Sequence, residues 1–331
     1  MTILAGGAAG VFRLNSADPA QVLQTRHVRE LVQTDGRIHA GAEDGHYYSD
    51  DDGVNWQASD LRGLQVWQIR AAADGALYAG TQPAHLFRST DGGLHWTEVE
   101  SFSAAPEAAR WGIPLDPPIP GRARAMVIDA DDPLHLRIGV EVGGIMTSTD
   151  GGRTWTMDLP GDNPDLHMMF AHPADPDVLY ASTGYGRPDG IAEMVEGNAG
   201  VFRSDDRGRT WTYAWKGITP RYSRPMCIDP RTPYGLTVAS APTAFSSYKD
   251  EGGAHAMLYR SEDGGESWRS LCDAAHAPSA ANFHGLNVDP EAPGGVIVGT
   301  DTGEVWRVSN EAEWTPAASG LPPVWSILAP A

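Results

Sequence analysis

The sequence is poor in several features that would indicate common classes of protein. It has only two cysteines among 331 residues, Cys227 and Cys272, and we expect them on separate strands of one blade as unpaired thiols. Lys and Arg total 24 against 43 Asp and Glu, a formal charge of −19, so neither nucleic acid nor an anionic membrane surface is an expected partner. No apolar run approaches the roughly 20 residues that span a bilayer, and no charged leader precedes the first strand. These absences predict a soluble cytoplasmic protein.

Local catalytic motifs are also missing. The chain has no G-x-S-x-G sequence, so nucleophilic serine chemistry of the hydrolase type has no support. It has no H-x-x-x-H spacing either, so any metal site must be assembled from distant parts of the chain. Function therefore has to be inferred from longer-range order in the sequence.

The longer-range feature is a repeated sequence motif, Ser-x-Asp-x-Gly-x-(small polar)-Trp, which we call the repeated phrase. It occurs at residues 49–56, 89–96, 148–155, 204–211 and 261–268. Each copy predicts a hairpin tip in which Asp accepts from its own backbone, Gly takes a left-handed conformation and Trp buries its ring. A unit repeated in this way predicts modules stacked around a shared core. We interpret the aspartates as turn residues rather than catalytic carboxylates.

A second signature precedes each phrase, a short β-rich run that ends in small residues. Its seven copies are residues 3–6, 38–41, 77–80, 136–139, 179–182, 236–239 and 296–299. Residues 324–329 read like residues 66–71, a first strand, but no second strand follows them. Residues 3–6 are a second strand without a first. We therefore predict that the two ends of the chain share the seventh blade.

The phrase resembles the Asp-box, or BNR, repeat of sialidase-like β-propellers. The resemblance implies an all-β, seven-bladed β-propeller of four-stranded antiparallel blades, and we predict one domain over residues 1–331. Sialidases of this type have six blades and a Phe/Tyr-Arg-Ile-Pro motif. The nearest string here, Phe12-Arg13-Leu14, belongs to a third strand. Exo-sialidase activity is therefore not expected.

One position is repeated in every blade, near the start of the first strand and at the end of the sheet opposite the hairpin tips. Its seven occupants are His27, Trp67, Arg124, His167, Arg224, His284 and Trp325. Packing alone would place small or apolar residues there, so the set favours a polar site at the channel mouth. The alternative is that these side chains pack between neighbouring sheets.

Three long insertions are predicted to rise over the same face, at residues 100–123, 184–199 and 242–256. Glu43, Gln82, Glu141 and Asp301 lie in its shorter loops. The insertions could bring these residues to the mouth: Trp111, Tyr185, Glu193, Glu196, Tyr248 and His255.

Two chemistries fit this set. In one, His27, His167 and His284 bind a single divalent metal, with no organic cofactor. In the other, histidines act as general acid and base; the catalytic candidates are His167, His284, Glu141 and Tyr185. Substrate contacts are assigned to Arg124 and Arg224, as an anion clamp, and to Trp67, Trp325 and Trp111.

The sequence thus favours a small-molecule enzyme, a hydrolase or lyase for an anionic, sugar-like or lactone substrate, with glycosidase or sialidase chemistry ranked lower. The alternative is a non-catalytic binding or assembly propeller that grips a protein or peptide on the same face. The sequence leaves the oligomeric state open.

Overall fold

Seven antiparallel sheets of four strands each make this protein a seven-bladed β-propeller, as the sequence predicts. The computed structural model describes residues 2–14, 18–185 and 199–330. Contacts group the chain into two compact units, Met1–Ala40, Ser49–Trp56 and Ala214–Ala331 in the first, and Gly41–Tyr48 and Gln57–Tyr213 in the second. The prediction of one domain over residues 1–331 stays a prediction.

The strands follow one another in a regular order. In the first half of the chain they are β1 (Ile3–Gly7), β2 (Gly10–Leu14), β3 (Ala20–Gln24), β4 (Glu30–Thr34), β5 (Arg37–Ala42), β6 (Gly45–Ser49), β7 (Gln57–Arg62), β8 (Gln65–Ala71), β9 (Leu77–Gln82), β10 (Leu86–Ser89), β11 (Thr97–Glu98), β12 (Gly112–Ile113), β13 (Ile119–Pro120), β14 (Arg122–Ile128), β15 (Leu136–Glu141), β16 (Gly144–Ser148) and β17 (Thr156–Asp158). In the second half they are β18 (Leu166–His172), β19 (Asp175–Thr183), β20 (Gly200–Ser204), β21 (Thr212–Tyr213), β22 (Tyr222–Ile228), β23 (Leu236–Ala241), β24 (Met257–Ser261), β25 (Arg269–Ser270), β26 (Phe283–Val288), β27 (Val296–Thr300), β28 (Val305–Val308), β29 (Trp314–Ala318) and β30 (Val324–Leu328).

Each sheet pairs strands that are neighbours in sequence. The seven orders are β3-β2-β1-β30, β4-β5-β6-β7, β11-β10-β9-β8, β14-β15-β16-β17, β18-β19-β20-β21, β22-β23-β24-β25 and β26-β27-β28-β29. In the first of these, β30 pairs antiparallel with β1, with Leu328 opposite Leu4 and Ile327 opposite Ala5. The predicted sharing of one blade between the two ends of the chain is therefore confirmed.

The repeated phrases fold into the turns that their residues predict. At residues 148–155, the Ser148 Oγ accepts the backbone N–H of Gly152 at 2.8 Å, and Gly152 has φ +85°. Asp150 Oδ1 accepts the N–H of Arg153 and of Thr154, both at 2.9 Å. The other four copies repeat the serine and aspartate bonds. The carboxylates are thus engaged in holding the hairpin tips.

Small residues end the second strands because a neighbouring first strand passes close by. A Cβ on Gly80 would lie 2.3 Å from the carbonyl oxygen of Ala123 in β14, a distance that real Cβ atoms do not adopt. A Cβ on Gly139 would lie 3.3 Å from the Cβ of Leu166 in β18, the first strand of the next sheet, and 2.7 Å from the Cβ of Ala125, its partner within the same sheet. Glycine at these positions lets adjacent sheets pack backbone to backbone.

Two of the three insertions can be followed. Residues 100–123 contain a one-turn helix, α1 (Glu100–Ser103), a 3₁₀ turn (Pro106–Arg110) and the β12–β13 hairpin. Residues 242–256 connect β23 to β24, between second and third strands as predicted. Most of the 184–199 insertion, including Glu193 and Glu196, lies outside the described residues.

The two cysteines are unpaired, as expected: Cys227 is buried in β22 and Cys272 is half-buried after β25. Burial raises the pKa of Cys227 to about 12, so its thiol stays protonated. Among the described residues, no helix has the length and apolar character needed to cross a membrane.

Truncation after Pro323 should destabilise the protein out of proportion to the length removed. It deletes the buried side chains of Val324, Ile327 and Leu328 and leaves the edge of β1 unpaired. Burial of three such side chains contributes roughly 5 kcal/mol. Calorimetry should show a large fall in Tm, whereas truncation after Leu328 should change little. Equal Tm values for the two truncations would contradict this role of β30.

Asp206→Asn should lower the Tm by about 2 °C at pH 7. The side-chain and backbone hydrogen bonds from Thr210 lower the Asp206 pKa from 3.8 to about 2. Stability from a carboxyl group whose pKa is depressed on folding is present above its unfolded value and is lost as the pH falls toward the folded one. The difference between variant and wild type should therefore shrink between pH 4 and pH 2.

Asp205→Asn is the matched control, because the neighbouring Asp205 side chain is 59% exposed and pairs with Arg203 rather than with the turn backbone. A pH-independent difference for Asp206→Asn, or an equal effect at Asp205, would exclude the proposed stabilisation of the turn.

Candidate functional site

The residues at the repeated first-strand position share a backbone feature. In six sheets the register between first and second strands shifts at this position, and the position has no partner in the ladder. These unpaired residues are Trp67, Arg124, His167, Arg224, His284 and Trp325. The seventh, His27, precedes β4 and has φ +49°. A β-bulge re-aims the side chain of its extra residue, so these side chains depart from the in-and-out alternation of the strand.

In the second unit, two of these bulges place charged groups around Glu141, the last residue of β15. Arg122 Nη1 donates to both carboxylate oxygens of Glu141, at 3.0 and 2.9 Å. Arg124 Nη1 donates to Oε2 at 2.9 Å. The Glu141 side chain is 8% exposed, whereas those of Arg122 and Arg124 are 21% and 16% exposed. Glu141 is therefore a buried carboxylate held by two guanidinium groups.

Trp67 lies against the same pair. Its ring centroid is 4.6 Å from the guanidinium carbon of Arg122 and 5.0 Å from that of Arg124. The indole Nε1 donates to Gln65 at 3.1 Å, and Trp67 is 8% exposed. The ring of Trp67, predicted to contact a substrate, therefore contacts two arginines, and cation–π attraction holds both guanidinium groups against it.

Asp165 and His167 complete the cluster. Glu141 and Asp165 form an isolated antiparallel backbone bridge between neighbouring sheets. His167 is fully buried, and its Nε2 lies 3.3 Å from Asp165 Oδ1. One carboxylate oxygen of Glu141, one of Asp165 and one ring nitrogen of His167 all lie within 4.8 Å of one another. We call these three residues with Arg122 and Arg124 the Glu141 cluster.

The charges of this cluster set the protonation state of Glu141. Burial is the largest single influence and raises the pKa of its carboxyl group, but Arg124, Arg122, His167 and the hydrogen bond from Arg122 together outweigh it, so the pKa lies well below its usual range. Glu141 is therefore ionised at neutral pH.

The cluster also offers the ligand atoms of a metal site, one imidazole and two carboxylates. The two arginines beside Glu141 offset the charge of two carboxylates, which reduces the electrostatic attraction for a cation. His27 and His284, the other predicted ligands, belong to the first unit. The three-histidine metal site stays a prediction.

The predicted site residues of the first unit, His284, Trp325 and Arg224, contact other protein residues. The His284 ring packs edge-on against Trp325 at 4.9 Å, and Arg29 lies 5.0 Å from the Trp325 ring centroid. Arg224 donates to the carbonyl oxygen of Ala244, in the 242–256 insertion. Its guanidinium carbon lies 5.1 Å from the Tyr222 ring centroid. The His284–Trp325 contact joins neighbouring sheets, whereas both contacts of Arg224 lie within the β22–β25 sheet and its insertion.

Two other predicted site residues are partly or wholly buried. Trp111 packs on Phe102, with ring centroids 4.8 Å apart, at the edge of a core cluster. Tyr185 is 8% exposed and lies two residues after β19.

Sequence reasoning missed Arg122 and Asp165. Each stands two residues before a predicted member of the site, Arg124 and His167 respectively. The charged residue two positions before each of them, in Arg-x-Arg and Asp-x-His, was the signal that could have identified both.

Comparisons with known proteins identify xyloglucanases as relatives. A probable oligoxyloglucan-reducing end-specific xyloglucanase of Neosartorya fischeri is 27% identical over 241 residues, covering 63% of this chain and 27% of that protein. A xyloglucanase of a Paenibacillus species is 28% identical, covering 59% and 19%. A family model described as the DUF6242 beta propeller domain matches residues 11–114.

Solved structures share the fold. The GH74 xyloglucanase from Xanthomonas campestris superposes with a TM-score of 0.69 at 19% identity, covering 98% of this chain and 52% of that one. YCF48 bound to D1 peptide superposes with a TM-score of 0.55 at 14% identity, covering 95% and 86%. The chain spans about a quarter of the length of the curated relatives it matches.

Glu141→Gln should lower the free energy of unfolding by roughly 3 kcal/mol, because it leaves two half-buried guanidinium groups without their anion. Gln82→Ala is the matched control. It removes the other acceptor of Arg122, at 3.2 Å, but keeps the carboxylate. Chemical denaturation should show a small effect for the control. Adding Arg122→Met and Arg124→Met to Glu141→Gln should recover part of the loss; failure to recover any would contradict the ion-pair explanation.

Proposed function

We propose that this chain is a glycoside hydrolase propeller that cleaves a bond within a sugar chain, with its chemistry at Glu141 and Asp165. The observation that carries the proposal is the close pair of buried carboxylates on adjacent sheets, in a chain whose curated relatives are xyloglucanases. Most glycosidases use two carboxyl groups across the scissile bond.

The environments of the two carboxyl groups suit different roles. Glu141 is held as an anion by Arg122 and Arg124, as required of a group that stabilises positive charge on the sugar ring. Asp165 has no arginine partner among the described residues and instead contacts His167. In the proposal Asp165 supplies the proton to the leaving oxygen, and His167 orients Asp165 through their contact.

A neutral sugar fits this cluster better than the anionic substrate suggested by the sequence. The Arg124 guanidinium is already paired with Glu141, and Arg224 already donates to the Ala244 carbonyl. An anionic substrate would have to displace these partners. Hydrolysis is favoured over elimination, because elimination typically needs a carboxylate on the sugar that is cleaved.

The hypothesis that His27, His167 and His284 bind a metal is separate from this proposal and is tested by a different measurement. Elemental analysis of the purified protein would detect a resident metal. In the carboxylate mechanism proposed here, prior treatment with a chelator leaves the hydrolytic rate unchanged.

The proposal predicts that the purified chain releases reducing ends from xyloglucan oligosaccharides. Asp165→Asn should lower kcat at least a hundredfold, while the stability of the variant changes little. Asp162→Asn, three residues away in the Pro160–Asp162 turn, is the matched control and should retain the wild-type rate. An unsaturated, ultraviolet-absorbing product would indicate a lyase instead. Unchanged kcat in Asp165→Asn would remove Asp165 from the mechanism.

The second candidate function is a non-catalytic propeller that binds a peptide. It is favoured by the extent of the match to YCF48 bound to D1 peptide, since this chain covers 86% of that structure. The 242–256 insertion also exposes two aromatic side chains, Phe245 at 72% and Tyr248 at 43%. Failure to cleave any xyloglucan oligosaccharide, together with peptide binding lost in Phe245→Ser, would favour this function.

We also propose that the five repeated phrases are Asp-box repeats. The recurring serine-to-glycine and aspartate-to-backbone bonds support the assignment.

A further inference from the structure

One sheet departs from an arrangement of arginines that five others share. In the registers of second and third strands, an uncharged residue on the second strand faces an arginine on the third. These pairs are Leu4 with Arg13, Tyr78 with Arg88, Tyr180 with Arg203, Thr237 with Arg260 and Ile297 with Arg307. In the β14–β17 sheet the order is reversed, and Arg137 on the second strand faces Thr147 on the third.

The reversal leaves the Arg137 guanidinium without a hydrogen-bond or ion-pair partner among the described residues, and Asp129 and Asp158 act on it only at longer range. Four of the third-strand arginines pair with a carboxylate: Arg88 with Asp74, Arg203 with Asp205, Arg260 with Glu262 and Arg307 with Asp289. Arg137 is only 6% exposed, yet it forms no hydrogen bond or ion pair with any of the described residues. Burial is the largest influence on the pKa of Arg137 and lowers it. An arginine cannot shed its proton in such a site, so an acceptor is needed.

Arg137 lines a cavity of about 220 Å³ between the β14–β17 and β18–β21 sheets, within the second unit. Its walls are largely apolar. The apolar lining residues are Val127, Ala130, Ala171, Pro173, Ala174, Pro176 and Leu179; the polar ones are Arg137, His172, Asp129, Asp131 and Asp175.

The polar groups of the cavity include both donors and acceptors. Arg207 pairs with Asp129 at 2.9 Å and with Asp131 at 3.4 Å, and so offsets part of their charge. His172 Nδ1 accepts the N–H of Ala174 at 3.2 Å. Burial lowers the His172 pKa, so the imidazole is neutral at pH 7 and its Nε2 carries the proton.

We propose that this cavity binds one pyranose ring of a neutral sugar, with Arg137 donating to its hydroxyl oxygens. A sugar hydroxyl both donates and accepts, and therefore suits a cavity that has an unpartnered guanidinium beside carboxylates. The apolar walls suit the C–H faces of the ring. A small anion fits less well, because three aspartates line the cavity against one unpaired arginine.

The cavity is distinct from the Glu141 cluster. The cluster lies near the starts of β14 and β18, whereas the cavity is lined by residues at the ends of the same strands. Five residues separate Arg124 from Asp129, about 16 Å along an extended strand. The proposed binding therefore does not depend on the proposed hydrolysis.

The test is saturation-transfer NMR and calorimetric titration of the full chain with glucose and xylose, with sodium sulfate and sodium acetate as anionic probes. The sugars should bind, and Arg137→Met should weaken them at least tenfold, because a charged donor is lost while the aliphatic stem is kept. Arg88→Met is the matched control: it removes a third-strand arginine outside the cavity and should bind the sugars as the wild type does.

A second variant tests the cavity independently, in case Arg137→Met fails to fold. Ala174 is an exposed residue of the cavity wall, and Ala174→Phe should obstruct the cavity and weaken binding without altering Arg137. Asp165→Asn should bind the sugars normally, which separates this site from the catalytic proposal. Tighter binding of sulfate or acetate than of either sugar, no sugar binding by the wild type, or unchanged binding in both cavity variants would overturn the inference.

Discussion

The close approach of β14 and of β18 to the second strand of the preceding sheet is the constraint on which the rest of the second unit depends. At Gly80 there is no room for a side chain because the carbonyl oxygen of Ala123 in β14 occupies the space, and at Gly139 the Cβ of Leu166 in β18 lies close by, beside the Cβ of Ala125 in the same sheet. Packing at this distance excludes water from the strands of both sheets and leaves their backbone groups dependent on ladder hydrogen bonds. The small residues that end the second-strand signature follow from this requirement.

Close packing also explains why bulges carry the distinctive side chains. A regular strand in such a stack presents every side chain either to one neighbour or to the other. The extra residue of a bulge escapes this alternation, so a large or charged side chain can stand there without disturbing the sheet. Arg124 and His167 reach Glu141 and Asp165 from such positions. The site is therefore built from irregularities that the repeat itself tolerates.

The two polar regions of the second unit, the Glu141 cluster and the Arg137 cavity, differ in how their charges are compensated. In the Glu141 cluster, two guanidinium groups are matched by carboxylates and by the face of Trp67, which leaves an ionised carboxylate fixed in place. In the Arg137 cavity, the carboxylates of Asp129 and Asp131 pair with Arg207 instead. The first arrangement suits chemistry on a bond, and the second suits binding of a ligand that can accept hydrogen bonds. The two functions proposed for these regions place sugar ligands at opposite ends of the same sheets.

Much of the architecture was determined by the sequence alone. The repeated phrase and the strand signature predicted seven blades, the turns at residues 49–56 and 148–155 and the pairing of β30 with β1, because these depend on local backbone preferences and on periodic burial. The sequence also predicted which position in each blade is unusual. It did not determine what surrounds that position. Arg124 and Trp67 were predicted to meet a substrate but contact Glu141 and each other, and Asp165 was not identified, because contacts between sheets join residues far apart in the chain. Such partners are fixed by sheet-to-sheet geometry and by the need to neutralise buried charge, and only the tertiary structure decided them.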